Sequence, residues 1–118
     1  MTNQDTHLAL HFLWLEVADL ERSTQFYGDT LAFPILEKTE AFTLVDLGNT
    51  RLYLAAGQPL PTNMYLAIAV PDVDALYQQL LEAGLKVSSP QDEGWARYIE
   101  YMDPDGYRLL LLTPQNAQ

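Results

Sequence analysis

The chain has 118 residues, 48% apolar and 19% charged, which is ordinary globular usage, enough for one core and too little for two full-sized domains. Six Lys+Arg against 16 Asp+Glu give a net charge of −10 with no basic cluster, which excludes attraction to nucleic-acid backbones or anionic membrane surfaces. With no cysteine there are no disulfides, thiolate metal sites or cysteine nucleophiles, and no apolar run approaches the length of a membrane span.

Met1-Thr2-Asn3-Gln4-Asp5 has neither the basic nor the apolar region of a signal peptide, so a cytoplasmic protein is expected. The first strand is predicted in the apolar run Phe12 to Val17, followed by Asp19 at a helix N-cap. Leu20, Phe26, Tyr27 and Leu31 mark that helix, with Gly28 interrupting the stripe. A strand is expected from Phe33 to Leu36, then a hairpin of Phe42 to Leu47 and Arg51 to Leu54 across Gly48-Asn49. The stretch Gly57-Gln58-Pro59-Leu60-Pro61-Thr62-Asn63 reads as a linker. Beyond it, Tyr65 to Val70 predicts a strand and Asp72 caps a helix carrying Val73, Leu76, Tyr77, Leu80 and Leu81, which Gly84 ends. Lys86-Val87-Ser88 predicts a short strand. Tyr98 to Met102 and Arg108 to Leu112 predict a second hairpin across Asp103-Pro104-Asp105-Gly106, whose aspartates read as turn residues.

The chain repeats itself. Phe12 to Glu21 corresponds to Tyr65 to Asp74 at an offset of 53, and Asp46 to Leu54 aligns without a gap on Asp103 to Leu111 at an offset of 57. Each half reads β-α-β-β-β. With Val17-Ala18-Asp19-Leu20-Glu21-Arg22-Ser23, Phe26-Tyr27-Gly28-Asp29-Thr30-Leu31-Ala32-Phe33, Val70-Pro71-Asp72-Val73-Asp74, Glu82-Ala83-Gly84 and Asp103-Pro104-Asp105-Gly106-Tyr107-Arg108-Leu109, the chain resembles the vicinal oxygen chelate superfamily of glyoxalases, bleomycin-resistance proteins and extradiol dioxygenases. The resemblance implies an α+β fold in which two βαβββ modules form a curved mixed sheet with helices on its outer face. It also implies a ligand cavity on the concave face and a homodimer that completes it. Module one is expected over about 8–57, the linker over 58–63 and module two over about 64–114, within one domain spanning 1–118.

Strand alternation sorts the side chains. Leu13, Leu15 and Val17 are expected to face the helix, and Phe12, Trp14 and Glu16 the cavity. By the same count Tyr65, Arg51, Tyr53, Arg108 and Leu110 face the cavity if the two hairpins share one register, with Trp95 and Tyr98 at its rim. Metal-dependent members of the family place ligands at positions that fall here on Phe12, Tyr65, Tyr53 and Leu110, none of them an ordinary divalent-metal ligand. No metal and no cofactor is therefore expected. His11 would reach such a site only through a bulge or an altered register, and His7 lies in the terminus. Glu16 is the one candidate general base; its plainer role is a carboxylate paired with Arg51 or Arg108.

The expected function is metal-free sequestration of a small aromatic or amphipathic molecule, with a cationic one suited to the acidic chain, as in bleomycin-resistance proteins. The alternatives are a glyoxalase-like lyase or dioxygenase with an unusual metal site, or a metal-independent isomerase using Glu16. Nucleic acid and membrane are not expected partners.

Overall fold

The computed structural model describes residues 9–61 and 63–115. Module one comprises β1 (Phe12–Val17), α1 (Leu20–Thr24) running on into a π-helical stretch (Gln25–Thr30), β2 (Ile35–Lys38), β3 (Phe42–Asp46) and β4 (Arg51–Ala56). Module two repeats it with β5 (Tyr65–Ala69), α2 (Val73–Glu82), β6 (Gln91–Asp92), β7 (Ala96–Met102) and β8 (Arg108–Pro114). Each module has its own four-stranded sheet, ordered β1-β4-β3-β2 and β5-β8-β7-β6. The first strand of each pairs in parallel with the last, and the other ladders are antiparallel. This is the expected α+β arrangement of two βαβββ units.

The expected helix caps are present. Asp19 and Asp72 sit in extended backbone and accept hydrogen bonds from Arg22 N–H (3.0 Å) and Ala75 N–H (3.1 Å). Apolar residues at helical spacing bury Val73, Leu76 and Leu80 of α2. The irregular stripe of the first helix has a structural cause: its second half is π-helical, with Leu31 N–H bonded to Phe26 C=O, and Phe33 N–H reaching back to Tyr27 C=O. Ala32 turns the chain there at φ 60°, a left-handed position that favours glycine.

Helix-facing strand residues of both modules enter one core. Leu15, Val17, Leu52 and Leu54 meet Ile68, Ile99, Leu109 and Leu111 around Tyr27 and Leu80. Each such aliphatic side chain contributes about 1.5–3 kcal/mol by leaving water. The polar part of the junction is built from the turn after β7. Buried Asp103 accepts hydrogen bonds from the buried Tyr27 Oη at 2.7 Å and from the N–H groups of Asp105 and Tyr107, both at 2.9 Å. Asp105 pairs with Arg22 at 3.0 Å and accepts hydrogen bonds from Ala18 N–H and Ser23 Oγ. These aspartates shape the turn, as expected, and also lock module two onto α1.

The chain departs from expectation at three places. The strand predicted from Phe33 to Leu36 begins at Ile35 and runs to Lys38, because the chain is still leaving the π-helical turn at Phe33. Lys86-Val87-Ser88 is not a strand: Leu85 and Val87 turn toward the core, and pairing begins after Pro90, where Gln91 and Asp92 meet Tyr98 and Arg97. The two hairpins also differ in register. Asp46 pairs with Arg51, whereas Met102 pairs with Arg108, so the second turn holds one residue more. The first expected residue of module one, Leu8, lies outside the described residues, as does His7.

Candidate functional site

The sheet faces turned away from the helices carry the chemistry. On module one, parallel pairing sets Phe12 beside Arg51, Trp14 beside Tyr53 and Glu16 beside Ala55. Antiparallel pairing brings Phe42 and Leu44 onto the same face, beside Ala55 and Tyr53. Tyr53 is the hub. Its ring centre lies 5.2 Å from that of Phe12, 5.4 Å from that of Trp14 and 5.4 Å from that of Phe42, with Trp14 stacked and the other two edge-on. Offset and edge-on pairs of this kind contribute about 0.5–1.5 kcal/mol each beyond burial. Phe42 was missing from the sequence-derived set, although counting back from the Gly48-Asn49 turn puts Phe42, Leu44 and Asp46 on one side. Phe12 and Trp14 remain 46% and 53% exposed, so the cluster is a platform open on its outer side.

On module two the equivalent face is different. Tyr65 pairs with Arg108 and Ala67 with Leu110, so an alanine and a leucine stand where module one has Trp14 and Tyr53. The Arg108 guanidinium lies 4.9 Å from the Tyr65 ring centre and donates from Nη2 to Asn63 Oδ1 at 3.0 Å. Trp95 lies in the turn before β7, where Ala96 pairs with Pro114. Tyr65 stands at the other end of β8, about 20 Å away at roughly 3.3 Å per residue. Tyr98 donates its hydroxyl to Glu93 at 3.2 Å, and desolvation, followed by the Glu93 carboxylate, raises its pKa.

Within one chain, then, Phe12, Trp14 and Tyr53 come together, and Tyr65, Arg108 and Leu110 share a second face. Among the described residues no ring contact joins the two groups. Two cavities of about 910 and 420 Å³ lie elsewhere, against α1 and between the modules, and none of the ten residues expected at the cavity or its rim lines them.

Glu16 is placed by the linker. Its Oε1 accepts the Gln58 N–H at 3.0 Å, and its backbone C=O accepts the Tyr107 hydroxyl at 2.9 Å. Gly57 permits this, because a Cβ there would stand 2.5 Å from Glu16 Oε1. The ion pairs among the described residues are Arg22–Asp105 and Arg97–Asp74, so the expected pairing of Glu16 with Arg51 or Arg108 is replaced by the Gln58 N–H. Backbone donors that lie close to the carboxylate meet its hydrogen-bonding need without a cation.

The family's metal positions do not fit a divalent ion. Phe12, Tyr53, Tyr65 and Leu110 offer two phenols and no imidazole or carboxylate, and among the described residues no three His, Asp or Glu side chains gather. His11 precedes β1, its ring against Phe12 at 5.8 Å and its C=O bonded by the Thr50 hydroxyl. Among the described residues no helix is long and apolar enough to cross a membrane.

Comparison with known proteins adds kinship to this geometry. A family model described as Glyoxalase/Bleomycin resistance protein/Dioxygenase superfamily matches residues 7–111. The uncharacterized protein YraH of Bacillus subtilis (strain 168) is 32% identical over 111 residues, covering 77% of this chain and 87% of YraH. The metallothiol transferase FosB of Lysinibacillus sphaericus (strain C3-41) is 24% identical over 110 residues, covering 85% and 78%. Among solved structures, TnmS3, an antibiotic binding protein from Streptomyces sp. CB03234, superposes with a TM-score of 0.78 at 28% identity, covering 92% of this chain and 100% of its own.

Proposed function

Because the chain belongs to the glyoxalase/bleomycin resistance protein/dioxygenase superfamily, we propose that it is a metal-free binding protein for a small aromatic or amphipathic organic molecule. The observation that carries this reading is the Tyr53 hub: three rings gather around it, and Tyr53 and Phe12 themselves stand at two of the positions where the resemblance places metal ligands. An aromatic platform recognises flat apolar surface by stacking and burial, and it offers no Lewis acid. The resemblance to TnmS3, an antibiotic binding protein, supports sequestration as the purpose.

Phe12, Trp14, Glu16, Arg51 and Tyr53 would line one wall. Tyr65, Arg108 and Leu110 would line the facing wall, with Trp95 at the rim and no catalytic role for Glu16 beyond anchoring the linker. A second copy of the chain would bring the walls together. Both β1 and β5 are sheet edges, and Phe12, Trp14, Tyr65 and Met102 on these faces are 46–57% exposed in one chain, a surface that water disfavours. We place the protein in the cytoplasm, where a chain without cysteine loses nothing. The single domain of two modules joined at 58–63 is part of the same reading.

The test is a thermal-shift screen of aromatic antibiotics and other flat organic molecules, with and without chelator, alongside metal analysis and sedimentation. A binder should raise Tm by mass action to the same extent in both arms. Tyr53→Ala should abolish the shift, because the hub holds three rings. A stoichiometric divalent ion in the purified protein, or a monomer at tens of micromolar, would overturn the corresponding part of the reading.

A further inference from the structure

The two modules meet at two junctions, and the repeat makes these comparable. At the first, α1 presents Ala18 N–H, Arg22, Ser23 and Tyr27 to Asp103 and Asp105. The offset of 53 that superposes the helix caps Asp19 and Asp72 places Pro71, Ala75, Leu76 and Leu80 at the matching positions of α2. The matching donors are lacking: proline has no N–H, and the other three have no polar side-chain atom. On the opposing turn, the register difference sets Leu47 one residue beyond β3, where Asp103 stands one residue beyond β7. The second junction has lost its polar lock and the long arginine that filled it.

What remains there is a cavity of about 420 Å³, within the range of small-molecule sites. Leu31, Phe33, Leu47, Ile68, Val70 and Leu76 supply apolar wall from both modules. Its charged lining residues are Asp46 and Asp72, with no lysine or arginine. Each uses Oδ1 locally, Asp46 for Gly48 N–H at 2.8 Å and Asp72 for Ala75 N–H at 3.1 Å. Gln79 bridges the modules beside the cavity by donating to Thr30 C=O at 2.8 Å.

We infer that this inter-module cavity is a second binding site, distinct from the open sheet faces, for a small organic cation with an apolar body. Its ammonium or guanidinium lies toward Asp46 and Asp72, and its body takes the volume that Ala75 leaves where α1 carries Arg22. The apolar wall supplies burial, and two carboxylates in a lining without lysine or arginine select the sign of charge, although Asp46 also has Arg51 as its ladder partner outside the cavity. The cavity shares no lining residue with the Tyr53 platform, so either can fail without the other.

Phenethylammonium is a suitable probe, with 2-phenylethanol as its neutral counterpart, both titrated into the full chain and followed by amide chemical shifts. Shifts should localise to 31–34, 46–47 and 68–79, with the cation bound at least tenfold more tightly than the alcohol. Asp46→Asn keeps the acceptor for Gly48 N–H and removes the charge, so the cation's affinity should fall about tenfold while the alcohol's stays. Ala75→Arg should restore a basic side chain to the cavity and abolish probe binding without lowering Tm, since arginine is a good helix former. Shifts confined to Trp14 and Tyr53, equal affinity for both probes, or undiminished binding in Ala75→Arg would each overturn the inference. So would loss of the cavity shifts on dilution, which would assign the cavity to a second copy.

Discussion

Replacing Tyr27 with phenylalanine deletes one oxygen and little else, which makes it a sharp test of how the modules are held together. The Tyr27 ring is fully buried and its hydroxyl donates to Asp103 Oδ2 at 2.7 Å, while Asp103 Oδ1 keeps the N–H groups of Asp105 and Tyr107. A hydrogen bond to a charged acceptor contributes about 1.5–3 kcal/mol, and its removal leaves Oδ2 buried without a partner. We expect a loss near 2 kcal/mol at pH 7. At about 2.1 cal/mol/K of unfolding entropy per residue, a chain of this size should lose about 8 °C in Tm. The pH dependence carries a second signature. Burial raises the Asp103 pKa above its ordinary 3.8, with the Tyr27 hydrogen bond the largest effect opposing it, and burial together with the nearby carboxylates raises that of Tyr27. A carboxyl whose folded pKa is raised binds its proton more readily folded than unfolded, so its contribution improves as pH falls through the range just above 3.8. Tyr27→Phe removes an interaction that favours the carboxylate, so its deficit should be largest at neutral pH and shrink on acidification. Thermal or urea unfolding from pH 7 down to pH 4 measures both. A Tm change under 2 °C at neutral pH, or a deficit that widens toward acid, would refute the reasoning.

Gly57→Ala should cost about 1 kcal/mol, because the new methyl displaces the Glu16 carboxylate from Gln58 N–H; in a Glu16→Ala background the cost should vanish, and urea unfolding of the double-mutant cycle reads the coupling. Ala32→Gly should raise Tm by a few degrees, since relief of the left-handed backbone, about 1–2 kcal/mol, exceeds the added freedom of the unfolded chain, about 0.4–1 kcal/mol. Asp72→Ala should lose about 1 kcal/mol of N-capping whereas Asp72→Asn should lose almost none, a contrast that calorimetry resolves.

Much of this architecture could be read from residue order. Strand alternation placed Leu15, Val17, Leu52, Leu54, Ile68 and Leu109 toward the core and left Phe12, Trp14, Glu16, Arg51 and Tyr65 outside, because a period of two fixes both faces once one is known to be apolar. Asp19 and Asp72 were legible as caps for a similar reason: the chemistry is local, within three residues. The illegible features depend on distant partners. Nothing near Glu16 in sequence announces Gln58, 42 residues away, and nothing near Asp103 announces Tyr27, 76 residues away. The π-helical turn escaped because its hydrogen bonds skip one residue more than the period that pattern reading assumes. Phe42 escaped for want of a count, since its face follows from the turn that was already identified.

The register difference explains why a repeat so plain in sequence yields two unlike junctions. Asp46 and Asp103 align without a gap, and each closes the same local turn by accepting the N–H two residues on. Yet Asp46 is the last residue of β3, paired with Arg51 and sharing the face of Tyr53, while Asp103 lies one step past the last residue of β7. In a pleated strand one step reverses the side chain. Asp103 therefore follows Ile99 and Tyr101 toward the helices, where Phe26 stacks on Tyr101 and Tyr27 meets the carboxylate. Asp46 is left half-buried at the rim of the other junction. A single extra residue in one turn has thus converted a repeated aspartate into a buried lock on one side and a negative rim on the other. The asymmetry of α1 and α2, with arginine, serine and tyrosine against alanine and two leucines, is what each position demands: donors where a carboxylate points inward, apolar surface where it does not.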